Sequence, residues 1–274
     1  MIELGLTLEM VLPWFTNGSE TEYIRISVPA AQAVEWPRVL ADAVRRSYIA
    51  DHKLEALATA NGISKADVLA AKLPDAGSVM SGDFGEITAY VYLASRQGGA
   101  AIGPKRWRLK ADRTKPAPYS DVVQLTLPGW PQATADDSLM CAEVKAKATA
   151  SAWNPIAVAI EGMEKDRISR LAKTLVWLRE RAIADDIGAV TIPQLNRFIN
   201  ATEFPAYIRN FRAIVVICTT LVEGLLDEFV PPTLPDGCVL VVIDVPNLHQ
   251  TYSAVYDAVH ASVLAQEQGG VAVL

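Results

Sequence analysis

Two uninterrupted runs of aliphatic and β-branched residues, A-I-V-V-I-C ending at Cys218 and C-V-L-V-V-I-D ending at Asp244, constrain the fold more than anything else in this chain. A strand with one face in water alternates apolar and polar residues. These runs do not alternate, so they predict strands buried on both faces, as in the centre of a parallel sheet. A helix-like stretch, residues 221–229, separates them, and a further helical pattern covers residues 249–266. With 51% hydrophobic and 20% charged residues, the chain can build an ordinary core and is not disordered. Its 274 residues suit one large domain or a domain with a smaller appendage.

The same composition excludes several classes. The apolar runs are too short to span a bilayer, and the N-terminal M-I-E-L-G-L-T-L-E lacks the basic region of a signal peptide. Cys141, Cys218 and Cys238 lie inside apolar runs, which predicts buried free thiols in a reducing cytoplasm. His52, His249 and His260 have no CxxC or HExxH context, so no zinc site is expected. Walker A, GxGxxG and GxSxG elements are absent, leaving intrinsic ATP use or serine-hydrolase chemistry without support. The net charge is −6, yet fourteen of the 25 Lys and Arg residues lie between Lys105 and Arg181. Six of them fall in K-R-W-R-L-K-A-D-R-T-K, a pattern equally compatible with a phosphate-facing side and a solvated loop.

Patterning divides the chain into residues 1–75, an N-terminal α/β extension, and residues 76–274. In the first part, residues 2–12 and 23–28 read as strands, 37–60 as a helix and 64–72 as a short helix capped by Ser64. In the second, a helix at 84–95 precedes a basic strand at 106–110, a hairpin, a long helical region from Asn154 to Ile183, and then the two apolar strands. The expected architecture is α/β, a mixed sheet flanked by helices.

The hairpin spans residues 119–147. Two short β-like runs, S-D-V-V-Q-L-T-L and L-M-C-A-E-V-K-A-K, flank a Pro/Gly/Asp-rich turn at 128–137. A hairpin centred there sets Asp121 opposite Glu143 on the neighbouring strand. Alternation puts Lys145 on the same face as Glu143, with Ala142, Val144 and Ala146 on the other. Two acids and a lysine on one sheet face outline a metal-dependent hydrolytic site. Glu86, on the preceding helix, is a further acid, although D-F-G-E also has capping-box spacing. Lys105, Arg106, Arg108, Lys110 and Lys147 are candidates for contact with nucleic acid, with Trp107 able either to stack on a base or to sit in the core. Arg167, Arg170 and Lys173 recur at helical spacing and fit a nucleic-acid groove or a solvated face equally well.

The order Glu86, Asp121, then Glu143-Val144-Lys145, followed by a helix and two strands, resembles the PD-(D/E)xK, or restriction-endonuclease-like, nucleases over roughly residues 82–244. The motif departs from the family where Ser120 precedes Asp121 and Pro118 stands three positions before it. Within that superfamily, G-D-F-G-E, S-D-V-V and A-E-V-K-A are most similar to the HamA nuclease subunits of Hachiman antiphage systems. The resemblance implies a restriction-endonuclease-like core and a DNA nuclease using Mg²⁺ or Mn²⁺ beside a HamB-like helicase. It implies Asp121, Glu143 and Glu86 as metal ligands and Lys145 as the catalytic lysine. Two alternatives stand beside it: a catalytically inactive domain of the same fold that binds nucleic acid or serves assembly, and a nuclease acting on RNA.

Overall fold

Ile214, Val216 and Cys218 point to one side of a central sheet, and Ala213, Val215 and Ile217 to the other. Val241, Ile243 and Val245 divide from Leu240 and Val242 in the same way. Both apolar runs are therefore buried on two faces, which is why neither alternates. The computed structural model describes residues 1–227 and 229–270, with the backbone alone at 266 and 268–270.

Its six strands are β1 (Thr16–Asn17), β2 (Ile24–Ser27), β3 (Val122–Thr126), β4 (Ser138–Lys147), β5 (Ile208–Cys218) and β6 (Cys238–Val245). They lie in the order β1-β2-β6-β5-β4-β3. The four central strands are parallel, and β1 and β3 close the edges in antiparallel pairs. The helices are α1 (Leu8–Val11), α2 (Ala30–Tyr48), α3 (Asp51–Asn61), α4 (Lys65–Ala70), α5 (Ser78–Arg96), α6 (Pro155–Lys165), α7 (Leu171–Ala184), α8 (Ile192–Ile199), α9 (Thr219–Leu226) and α10 (Leu248–Gly270). Residues of α2, α5 and α10 cover one sheet face. Residues of α6, α7, α8 and α9 cover the other. This is the expected mixed α/β sheet. Cys141, Cys218 and Cys238 are buried free thiols, and among the described residues no helix is long and apolar enough to cross a membrane.

Several local expectations are corrected. Residues 2–12 form a 3₁₀ turn and α1 in place of a strand. Leu4 and Leu6 are anchored in the core beside Met1, while Ile2, in phase with them, is exposed, and Thr7 caps α1 through its side chain. The single helix expected at 37–60 is two, because Ile49 adopts an extended conformation (φ −155°, ψ 129°) between α2 and α3. The basic strand expected at 106–110 is a 3₁₀ turn, Arg106–Leu109. Helix α8 lies where the sequence pattern predicts no element, and Thr191 and Gln194 form a capping box at its start. Strand β2, from the first 75 residues, pairs with β6, and α2 packs on α10, so sheet and core run across the expected boundary.

Candidate active site

The β3–β4 register pairs Val122 with Ala142 and Val123 with Cys141. One further step sets Asp121, the residue before β3, opposite Glu143, as the hairpin symmetry predicts. Asp121 Oδ2 accepts a hydrogen bond from the Val144 N–H at 2.8 Å. A backbone donor just past the last β3 partner is thereby satisfied by a side chain, which fixes the carboxylate beside β4.

Glu143 faces the side of the sheet covered by α6 and α7. One of its oxygens pairs with Lys145 Nζ and the other with Arg170 Nη2. Lys145 Nζ also lies 3.8 Å from Asp121 Oδ2 and donates to the Val144 carbonyl at 3.1 Å. Room for Glu143 comes from Gly162 on α6, where a β-carbon would fall 2.5 Å from Glu143 Cγ and Oε1. Arg170 belongs to a single wide π-helical turn, Asp166–Arg170, between α6 and α7. Such turns are concentrated at functional sites. This one lets Arg170 reach Glu143, the Gly162 carbonyl at 2.8 Å and Asp166 at 2.6 Å.

Ser120, the residue before Asp121, is held by its own set of hydrogen bonds. Its hydroxyl donates to Asp166 Oδ1 at 2.6 Å and meets Thr174 Oγ1 at 2.8 Å, while its N–H donates to Thr174 Oγ1 at 3.3 Å. Proline could make none of these bonds. Tyr119, just upstream, has φ 69°, a conformation costly for a residue with a side chain and characteristic of constrained sites.

Glu86 approaches from the opposite helical layer. Helix α5 begins at Ser78, so Asp83 and Glu86 lie inside it and the capping-box alternative does not apply. Trp107 Nε1 donates to Glu86 Oε2 at 3.0 Å, which places Trp107 in the core and not against a base. Arg106 Nη1 stands 3.8 Å from Glu86 and 3.9 Å from Asp121. Arg106 also donates to the carbonyls of Ala117, Pro118 and Asp121, clamping the loop that presents Asp121.

The electrostatics tie the three acids together. Burial, followed by repulsion from Asp121, pushes Glu86 well above the ordinary carboxylate range against the pull of Arg106. Burial and Asp121 likewise raise Glu143 against Lys145 and Arg170. Burial alone would lower Lys145, but Asp121 and Glu143 outweigh it and hold the ammonium group charged above its usual value. One helical turn before Glu86, Asp83 is buried against Lys110 at 2.7 Å and the Tyr48 hydroxyl at 2.6 Å. Neither Arg170 nor Asp83 was expected here: each looks like an ordinary helical charge until the turn or the packing brings it inward.

The expected nucleic-acid contacts fare differently. Lys105 and Arg106 are buried. Lys105 Nζ binds the Tyr90 hydroxyl and the Gly103 carbonyl, each at 2.8 Å, and Arg108 pairs with Glu3 at 2.8 Å and Asp186 at 2.9 Å. Lys110 is committed to Asp83. Lys147 Nζ donates to the Ser151 and Trp153 carbonyls, both at 2.9 Å. Lys105, Arg106, Arg108 and Lys110 thus meet partners from distant segments inside the protein, which corrects their reading as phosphate contacts, while Arg113 pairs with Asp75 and Lys115 with the neighbouring Asp112 at the surface. Arg167 and Lys173 remain exposed on the α6–α7 surface.

No curated protein matches the chain. The HamA family model matches residues 17–259, a span that contains β2 through most of α10 and every residue of the site. The chain belongs to the HamA family.

Proposed function

We propose that this protein is the effector nuclease of a Hachiman-type antiphage system, a divalent-metal-dependent hydrolase of DNA phosphodiester bonds working with a helicase partner. The observation that carries the reading is the cross-strand opposition of Asp121 and Glu143 with Lys145 ion-paired to both. Family membership supports the defence role.

The donor set suits Mg²⁺ or Mn²⁺, since three carboxylates supply hard oxygens. Glu86 and Glu143 are both raised by burial and by Asp121, a repulsion that a cation among them would relieve. As arranged, no group of three His, Cys, Asp or Glu among the described residues is close enough to hold a metal, and Lys145 and Arg170 stand on the oxygens of Glu143. Asp121, Glu143 and Glu86 are the residues that would hold the ion after Glu143 gives up one of these contacts. A divalent ion there supplies a water of lowered pKa and offsets charge on the scissile phosphate. Lys145, kept protonated by its two acids, presents positive charge where the phosphate's negative charge builds up. Arg106 holds the Asp121 loop, and Val144 N–H fixes the orientation of its carboxylate.

A second reading, a binding or assembly subunit without catalysis, is favoured by the ion pairs that already satisfy both oxygens of Glu143. Mg²⁺-dependent cleavage of linear, circular and single-stranded DNA and of RNA, with and without a co-purified partner, separates the two. Asp121→Asn, Glu143→Gln and Lys145→Met should each lose about 100-fold or more in rate, with Lys145→Met remaining folded. Full activity in Glu143→Gln refutes the catalytic assignment. DNA binding without cleavage by the unmodified protein supports the second reading, and a preference for RNA reassigns the substrate.

A further inference from the structure

A cavity of about 540 Å³ opens on the other face of the sheet from Glu143 and Lys145. Its floor is Met140 of β4, Val241 of β6 and Ile24 of β2, and Leu93 of α5 forms an apolar wall. The charged side chains around it are Arg25, Arg96, Arg212 and Glu20, three cations against one anion in a chain of net charge −6. Arg25 is matched by Glu20, Glu223 and Asp244. Arg96 and Arg212 have no carboxylate partner among the described residues. Arg96 donates one bond, from Nη2 to the Phe15 carbonyl at 3.2 Å. Arg212 uses Nη1 alone, toward the carbonyls of Phe211 at 2.8 Å and Gly237 at 3.0 Å. Each guanidinium therefore keeps an uncommitted edge. The Arg96 guanidinium lies 5.1 Å from the centre of the Tyr92 ring. Burial lowers Arg212, as expected where a cation is removed from water with no anion supplied, and burial raises Tyr92 against the pull of Arg96, which reaches its hydroxyl.

Two unpaired guanidinium groups are suited to an oxyanion with several acceptor oxygens, above all a phosphate. The apolar floor and wall suit a flat ring. The volume lies within the range of small-ligand sites. We propose that this cavity binds a nucleoside phosphate, with the phosphate on Arg96 and Arg212 and the base against Ile24, Leu93 and Val241. The ligand is either a free nucleotide or the phosphorylated end of a DNA strand. The inference does not depend on the nuclease reading, because the cavity shares no residue with the candidate active site.

The test is thermal melting and calorimetric titration of the full chain in EDTA, which keeps hydrolysis out of the readout. The probes are dAMP, deoxyadenosine, inorganic phosphate and a 5′-phosphorylated oligothymidylate with its unphosphorylated twin. dAMP should bind at least tenfold tighter than either phosphate or deoxyadenosine, and Arg96→Gln/Arg212→Gln should weaken it at least tenfold with the melting temperature of the unliganded protein retained. Tyr92→Phe, which keeps the ring, provides a folded second variant, and dAMP binding to it should persist. A 5′-phosphorylated strand binding tighter than dAMP identifies the strand end as the ligand; the reverse identifies the free nucleotide. No binding at millimolar dAMP, equal binding of dAMP and inorganic phosphate, or undiminished binding in the double variant overturns the proposal.

Discussion

Replacing Gly162 with alanine sets two forces of known sign against each other. In an ordinary helix interior the change stabilises by about 1 kcal/mol. Here the new methyl would lie 2.5 Å from Glu143 Cγ and Oε1, well inside contact distance, so the Glu143 side chain must leave its place between Lys145 and Arg170. Breaking a fully buried ion pair costs about 3–5 kcal/mol. The side chains of Lys145 and Arg170 are 26% and 24% exposed, so water recovers part of that and about 2–3 kcal/mol is the fitting range. Gly162→Ala should therefore destabilise by about 1–2 kcal/mol once the helical gain is subtracted. In a Glu143→Ala background there is no carboxylate to displace, and the same substitution should stabilise by about 1 kcal/mol. Urea denaturation of the four proteins at 25 °C gives the coupling directly, expected at about 2–3 kcal/mol. The same sign in both backgrounds, or a coupling under about 0.5 kcal/mol, refutes the account of how α6 accommodates Glu143.

Two further outcomes follow from the buried charges. Glu86 holds its proton more tightly folded than unfolded, so the unmodified protein loses stability as pH rises from the ordinary carboxylate range through the raised folded value. Glu86→Gln, which still accepts from Trp107, should melt higher at neutral pH and converge with the unmodified protein at acidic pH; an advantage that grows on acidification contradicts the assignment. Lys110→Met leaves Asp83, buried and otherwise bonded to Tyr48, without its cation, and should cost about 3–5 kcal/mol in denaturation while the salt slope of DNA binding is unchanged. A flattened slope with intact stability would return Lys110 to the nucleic-acid contacts.

What was legible in the sequence depended on whether a pattern was local. Asp121 meets Glu143 because hairpin register and alternation follow from strand geometry and a turn of fixed length. The uninterrupted runs in β5 and β6 announced burial on two faces for the same reason. Glu86 was ambiguous because D-F-G-E reads the same at a helix start and inside one, and only the entry of α5 at Ser78 decides. The burial of Lys105, Arg108 and Lys110 was not legible because a charge's partner is set by the tertiary fold: Glu3, Asp83 and Asp186 come from three separate segments. Arg170 stayed hidden because a π-helical turn shifts the helical phase by one residue, and no spacing rule based on 3.6 residues per turn reports that.

The pairing of β2 with β6 also dictates an order of events during synthesis. Ser27 and Asp244 are joined by a hydrogen bond across 217 residues of chain. Until β6 has left the ribosome, β2 has no partner on that side and the cover of α2 on α10 cannot form, so this slow long-range closure waits until both ends of the sheet have been made. Strand β5, paired along one edge with β4, likewise waits for β6 on the other. A nascent chain stopped before residue 238 therefore carries the β3–β4 hairpin and β5, with Asp121 opposite Glu143, but lacks the strand that joins them to β2. The pairing of β6 along both of its edges is therefore the last step in assembling the sheet, and it draws the N-terminal strands onto a hairpin already made.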